Sequence, residues 1–240
     1  DFTDYFLAAS DPIEEVVWSF TGNATFTATA GNTETIAFGT ILTASRETFW
    51  DLFVAEYEFS YGETLTDDLD LVTGRLHRAG LLYRYFLDDT WGLYARDDFR
   101  SNLLAGISFS NVFALGASWT AISEETYTLA YDLGLTYTWE EICVFSWYSD
   151  HRDFLGGTVE ARFNWEPNDD IDFFALARSN FGFVNDEPYP IDALFQVGSN
   201  AVTEDDVAFG VLLEATYKNA PGAGLARWDF RALFTVGVTF

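Results

Sequence analysis

The sequence predicts an all-β protein, a closed antiparallel barrel that spans a membrane, with about 14 strands and 12 as the next count. Three observations carry the prediction. About half of the 240 residues are apolar, with 24 Phe, 12 Tyr and 8 Trp, yet the formal net charge is -26 and mean hydropathy is close to zero. Apolar and polar residues alternate with period 2 through one segment after another. The apolar faces of those segments are crowded with aromatic residues, often near their ends.

Composition excludes several classes. A disordered acidic chain would have few aromatics. No run of 18 or more apolar residues is present, so no transmembrane helix is expected. The single Cys143 leaves no intramolecular disulfide, and only His77 and His151 accompany it, so no metal site is expected. With 12 basic residues against 38 acidic ones, nucleic acid is not an expected partner. The absence of Met, even at position 1, is read as the mark of a removed signal peptide.

The clearest strand is the last. Trp228, Phe230, Ala232, Phe234, Val236, Val238 and Phe240 form one face, and Arg227, Asp229, Arg231, Leu233, Thr235, Gly237 and Thr239 form the other. The segment 126–139 repeats the pattern, with Tyr127, Leu133, Tyr137 and Trp139 opposing Thr128, Asp132, Thr136 and Thr138. It recurs at 16–30, 53–61, 157–165 and 206–217, and less cleanly at 34–45, 70–87, 90–99, 101–109, 112–122, 141–150 and 169–183. A weak segment at 191–199 makes the number even, as a single-chain bacterial barrel requires. Fourteen strands place the connections 62–68, 151–157, 184–190 and 218–226 outside the cell and the tight turns 46–48, 88–89, 110–111, 140 and 167–168 in the periplasm, with 200–205 a middling periplasmic turn. Residues 1–14 are read as a periplasmic segment and 15–240 as the barrel.

Closure follows from the solvent. An open sheet in lipid leaves unpaired edge amides at several kcal/mol each. A soluble sandwich would also alternate, but its apolar face would be mixed aliphatic. Here Trp18, Tyr61, Tyr137, Trp139, Trp165, Tyr217, Trp228 and Phe240 suit aromatic girdles at the two membrane interfaces. The opposite faces carry Gly, Ala, Ser and Thr with scattered charges. An ionised Arg on the lipid face near the midplane costs about 2–4 kcal/mol, so these charges are expected to line the lumen. The candidates are Glu56, Glu58, Arg78, Arg96, Asp132, Glu160, Arg162, Arg178, Glu214, Arg227, Asp229 and Arg231. Two readings stay open: an ion-selective pore lining, or a ladder of salt bridges that fills the lumen.

Several stretches resemble a known family. Gly31-Asn32-Thr33-Glu34-Thr35 opens a strand, followed by Ser45-Arg46-Glu47 and by Glu56-Tyr57-Glu58-Phe59-Ser60-Tyr61-Gly62-Glu63. The run from Leu93 to Gly106 and the ending Val236-Gly237-Val238-Thr239-Phe240 are similar too. Together they resemble the YdiY-like family of salt-induced outer membrane proteins. The resemblance implies an outer-membrane barrel of about a dozen strands, and supplies no catalytic residues. The chain departs from that pattern near 184–226, where an extra strand or hairpin is expected. Phe240 also resembles the terminal aromatic that the outer-membrane assembly machinery recognises.

Other features are read more plainly. No Gly-x-Ser-x-Gly is present, and neither histidine sits in a triad-like setting, so no catalytic residue and no cofactor are expected. Acidic clusters at Asp67-Asp68-Asp70, Asp88-Asp89, Asp97-Asp98, Asp169-Asp170-Asp172 and Glu204-Asp205-Asp206 lack calcium-loop spacing and are read as solvated turns. The expected surroundings are a lipid bilayer and lipopolysaccharide. The expected function is a passive pore or a structural component of the envelope. A protein partner docked through the N-terminal segment or the acidic loops is the alternative, and a surface hydrolase is a more distant one.

Overall fold

The computed structural model describes residues 16–30, 35–66, 69–102, 107–145, 148–168, 170–183, 191–203, 207–219 and 227–239. The segment 1–14 and Phe240 lie outside them. The fold is a closed barrel of twelve antiparallel strands, each paired with its neighbours in sequence. The strands are β1 (Val17–Ala30), β2 (Thr35–Glu47), β3 (Asp51–Thr66), β4 (Leu69–Phe86), β5 (Trp91–Asn102), β6 (Ile107–Ser123), β7 (Tyr127–Phe145), β8 (Tyr148–Asn168), β9 (Ile171–Gly182), β10 (Ile191–Val202), β11 (Val207–Lys218) and β12 (Trp228–Thr239). β1 closes on β12 with Phe26 opposite Phe234 and Thr21 opposite Thr239, so neither strand leaves an open edge.

The expected count of fourteen is corrected to twelve. Two expected strands, 101–109 and 141–150, straddle hairpin connections. β6 continues through the turn expected at 110–111, and β7 continues through the one expected at 140. β8, at 21 residues, absorbs the loop expected at 151–157. The reason is physical. A barrel with a polar interior accepts Ser110, Glu140 and Arg152 at inward strand positions, so residues that punctuate a soluble strand do not punctuate this one. Register shifts at Ile107/Phe109 and Cys143/Phe145 also break the period there.

Alternation sets which side chains face lipid. On β7, Leu133 and Leu135 are 59% and 66% exposed, whereas Asp132 and Thr136 on either side of them are 1% and 2% exposed. The same inversion runs around the barrel, with Val197, Leu213, Phe230 and Val236 outside. A soluble protein would not present such a continuous apolar surface. Aromatic rings border it at both ends. Trp91, Trp119 and Tyr131 stack in a row, with Trp165 on Phe173 in the same rim. At the other end Phe99, Phe109 and Trp139 pack in sequence, and Trp228 meets Tyr217 at 4.8 Å between ring centres. Trp18 and Tyr61 are also exposed. Ten residues separate Tyr127 from Tyr137 on β7. At roughly 3.3 Å per residue and a tilt of about 40°, that is ~25 Å, the height of an outer-membrane apolar band.

The strands meet closely where β6 and β7 cross, because Gly116 stands opposite Gly134. A Cβ on Gly134 would lie 2.5 Å from the Tyr94 hydroxyl and 2.6 Å from the Leu115 carbonyl oxygen. The Tyr94 side chain therefore lies over a strip of bare backbone, a packing only glycine allows. Gly134→Val is expected to lose at least about 1–3 kcal/mol and to refold poorly. The check is the migration of unboiled sample in a detergent gel, where the folded band should be depleted.

The barrel interior as candidate functional site

Each strand contributes its inward row from one parity of the sequence. On β3 that row includes Glu56, Glu58 and Ser60, and on β12 it includes Asp229, Arg231 and Leu233. Register then brings opposite charges side by side. Glu58 stands opposite Arg78 across β3 and β4. Glu214 stands opposite Arg231 across β11 and β12. These two pairs face each other across the lumen and join. Arg78 donates to both Glu214 oxygens, at 3.0 and 3.1 Å. Arg231 donates to both Glu58 oxygens. With Arg78–Glu58 at 3.7 Å and Arg231–Glu214 at 3.6 Å, the four residues form a closed ring of alternating sign. Gln196 adds a hydrogen bond to Glu214 at 2.8 Å.

A second network occupies the β4–β9 side. Asp132 and Glu160 stand directly opposite each other across β7 and β8. Two like charges in that position repel, and four guanidiniums offset the repulsion. Arg84 and Arg162 donate to Asp132 at 3.1 and 2.6 Å. Arg96 donates to Glu160 at 2.8 Å, and Arg178 also donates to it. Asp98 bridges Arg96 and Arg178, at 2.8 and 3.1 Å. A third pairing, of Lys218 with Glu140 and with Asp192 at 3.8 Å, crosses nearer the loop end. Toward the turn end the filling becomes apolar. Ile41, Phe174, Leu212 and Leu233 form one cluster, and Leu52 and Val54 pack with Leu82 and Phe86 in another.

The candidate residues separate into groups. Glu58, Arg78, Glu214 and Arg231 share the first ring, and Arg96, Asp132, Glu160, Arg162 and Arg178 share the second network. Glu56 and Asp229 lie half-buried on inward rows. Arg227 is a correction: it is exposed and precedes β12, so it is not a strand residue. Asp98, Glu140, Gln196 and Lys218 escaped the sequence reading, and Arg84, a strand arginine expected to point inward, joins its lumen candidates. Asp98 was grouped with Asp97 as a turn, but both lie within β5, where the parity of Tyr94 and Arg96 places Asp98 inward. Asp97 instead accepts a hydrogen bond from Asn111 at 2.8 Å. Asp172 lies in β9 and accepts from Asn200 at 3.0 Å. Among the described residues no group of acids, His or Cys is placed to hold a metal ion. His77 stands 2.9 Å from the Tyr57 hydroxyl, and His151 packs on Trp139, both on the outer face.

An apolar band outside and a charged, hydrogen-bonded interior inside a closed antiparallel sheet define a β-barrel protein of the Gram-negative outer membrane. The chain belongs to the family described as Protein of unknown function, DUF481, which matches residues 22–240. No curated protein sequence matches it. Among solved structures it is similar to the NanC porin, at 14% identity and a TM-score of 0.55 over 90% of this chain and 98% of that one. It is similar to an outer membrane channel from Pseudomonas putida F1, at 14% identity and a TM-score of 0.53 over 100% and 99%. A bacterial polysaccharide outer membrane secretin follows, at 8% identity and a TM-score of 0.51 over 93% and 98%. At these identities the likeness is one of fold.

Proposed function

We propose that the protein is a structural barrel of the outer membrane whose lumen is closed to free diffusion. One observation carries this reading: each of the twelve strands contributes at least one inward side chain with under a tenth of its surface open to water. They run from Thr27 on β1 through Glu58 on β3, Ala114 on β6 and Thr158 on β8 to Leu233 on β12. An aqueous channel would leave such a ring wet. The ladder reading of the lumen charges is therefore preferred to the pore lining, with the outward aromatics acting as anchors in bilayer and lipopolysaccharide. In this reading the protein performs no catalysis. The likeness to the YdiY-like proteins, seen in the Gly31–Thr35 and Leu93–Gly106 stretches, agrees with it. Proteoliposomes carrying the refolded chain should swell in isotonic arabinose no faster than empty vesicles, and rapid swelling would overturn the proposal.

A second reading is favoured by the acidic turn end, where Asp88, Asp89, Glu124, Glu125 and Asp170 are all exposed. That end suits a protein partner with a basic surface. Co-purification of one partner at fixed stoichiometry, lost when these acids are replaced by Asn or Gln, is the result that would favour it.

A further inference from the structure

Among the described residues, one acid lies on the outer face between the girdles. Asp97 of β5 shares its side of the sheet with its cross-strand neighbours Leu81 and Phe113, which are 48% and 42% exposed. Its side chain therefore points to lipid and not to the lumen. Asn111 of β6 stands on the same face and donates to Asp97 Oδ1 at 2.8 Å. Six residues separate Asp97 from Trp91 at the turn-side rim. At roughly 3.3 Å per residue and a tilt of about 40°, the carboxylate lies ~15 Å from that rim, within the apolar band. The other charged side chains described on the outer face lie at the girdles: Arg46 pairs with Asp51 at the β2–β3 turn, and Glu141 and Asp153 flank Trp139. We propose that the lipid-facing surface of β4–β6 is a homodimer interface, in which Asp97 of each copy accepts a hydrogen bond from Asn111 of the other.

Lipid leaves this pair incomplete. A polar group in the hydrocarbon region is costly until its hydrogen bonds are made within protein. The Asn111 amide carries two N–H donors, and the Asp97 carboxylate carries two oxygens. One of each is used between them, and among the described residues Asp97 Oδ2 and the second N–H have no partner. His77, also on this face, bonds the Tyr57 hydroxyl at 2.9 Å and not Asp97. The spare groups are thus one acceptor and one donor. Two such pairs complete each other by exchanging bonds, which is what an isologous contact requires. Two barrels inserted in the same direction are related by a two-fold axis along the membrane normal, so only groups at equal height meet reciprocally. Asp97 and Asn111 touch, so they share one height. Ala79 and Ala95 lie beside Asp97 on the same face, and such small side chains let two membrane-embedded surfaces approach closely. Exposed Leu81, Leu93 and Leu115 surround them. Acyl chains at this depth offer the carboxylate no donor, so lipid does not take the place of a second copy.

Sedimentation equilibrium of the refolded full chain in density-matched detergent reads the self-association. A monomer–dimer equilibrium is expected, and Asp97→Leu or Asn111→Leu should raise its dissociation constant by roughly tenfold or more. Both changes place an apolar side chain against lipid, so the folded band in unboiled gels should be kept. Asp97→Asn retains an acceptor without the charge and should dimerise nearly as well as the wild type. A second measurement locates the contact. In a Cys143→Ser background, Ala95→Cys should be linked to its partner by a short bismaleimide in vesicles, and Val211→Cys on the far side of the barrel should not. A monomer at every concentration, a dimer indifferent to folded Asp97→Leu and Asn111→Leu, or linking through Val211→Cys alone would each overturn the proposal. Swelling and conductance report on the lumen and are blind to this face, so the dimer and the closed lumen fail separately.

Discussion

Replacing Asp132 by alanine should destabilise the barrel by about 3–5 kcal/mol, the largest single effect expected in the lumen. Asp132 is 1% exposed and joins Arg84 to Arg162. Without it, two buried guanidiniums lose their shared carboxylate and face each other. Water cannot easily replace the lost partner, because Thr128, Thr136 and Ser118 around it are themselves buried. Asp132→Asn should fall in between, since its amide oxygen can still accept while the charge is gone. Urea unfolding of the refolded protein in vesicles, followed by tryptophan fluorescence, reads the order wild type, Asn, Ala. A cost under about 1 kcal/mol for alanine would mean that the network is open to solvent.

The second large effect is functional. The combined variant Arg78→Ser, Glu214→Ser, Leu233→Ala should turn a silent barrel into a conducting one. Arg78 and Glu214 are removed together, so neither is left as an uncompensated buried charge. Glu58 and Arg231 still hold each other. Two of the side chains that span the lumen are thereby cut back to hydroxyls. Leu233, which is 0% exposed, belongs to the apolar layer on the turn side of the ring, and its truncation thins that layer. Both layers must be breached, because an apolar constriction alone can block ions by excluding water. Stepwise currents are expected from the combined variant in planar bilayers. The ring variant alone and Leu233→Ala alone should stay closed or flicker. Persistent silence from a folded combined variant would show that other residues close the lumen.

Much of the fold is legible in the sequence because lipid and lumen impose opposite demands on alternate residues. The run from Tyr127 to Trp139 states both faces of β7, and the final strand states both faces of β12. Strand number is harder to read. A turn in a soluble sheet is announced by polar residues, but here Ser110, Glu140 and Arg152 are ordinary strand residues because the interior is polar. The sequence therefore breaks β6 and β7 where the chain does not turn. The inward position of most lumen charges follows from parity, as with Glu58 and Asp132. Their partners do not. Arg231 meets Glu58 across 173 residues of sequence, and Arg78 meets Glu214 across 136, through closure and stagger that no local pattern records. Arg84 is the instructive case. It lies on an inward row of β4, but only the closed barrel shows that it shares Asp132 with Arg162.

Single-channel recording of the wild-type chain in planar bilayers tests the closed lumen most directly. Folding is verified first by the shift between boiled and unboiled sample. The packed interior predicts no stepwise current across a range of voltages of either sign. Reproducible steps, with a conductance that scales with salt as an open aqueous pore would, would contradict it.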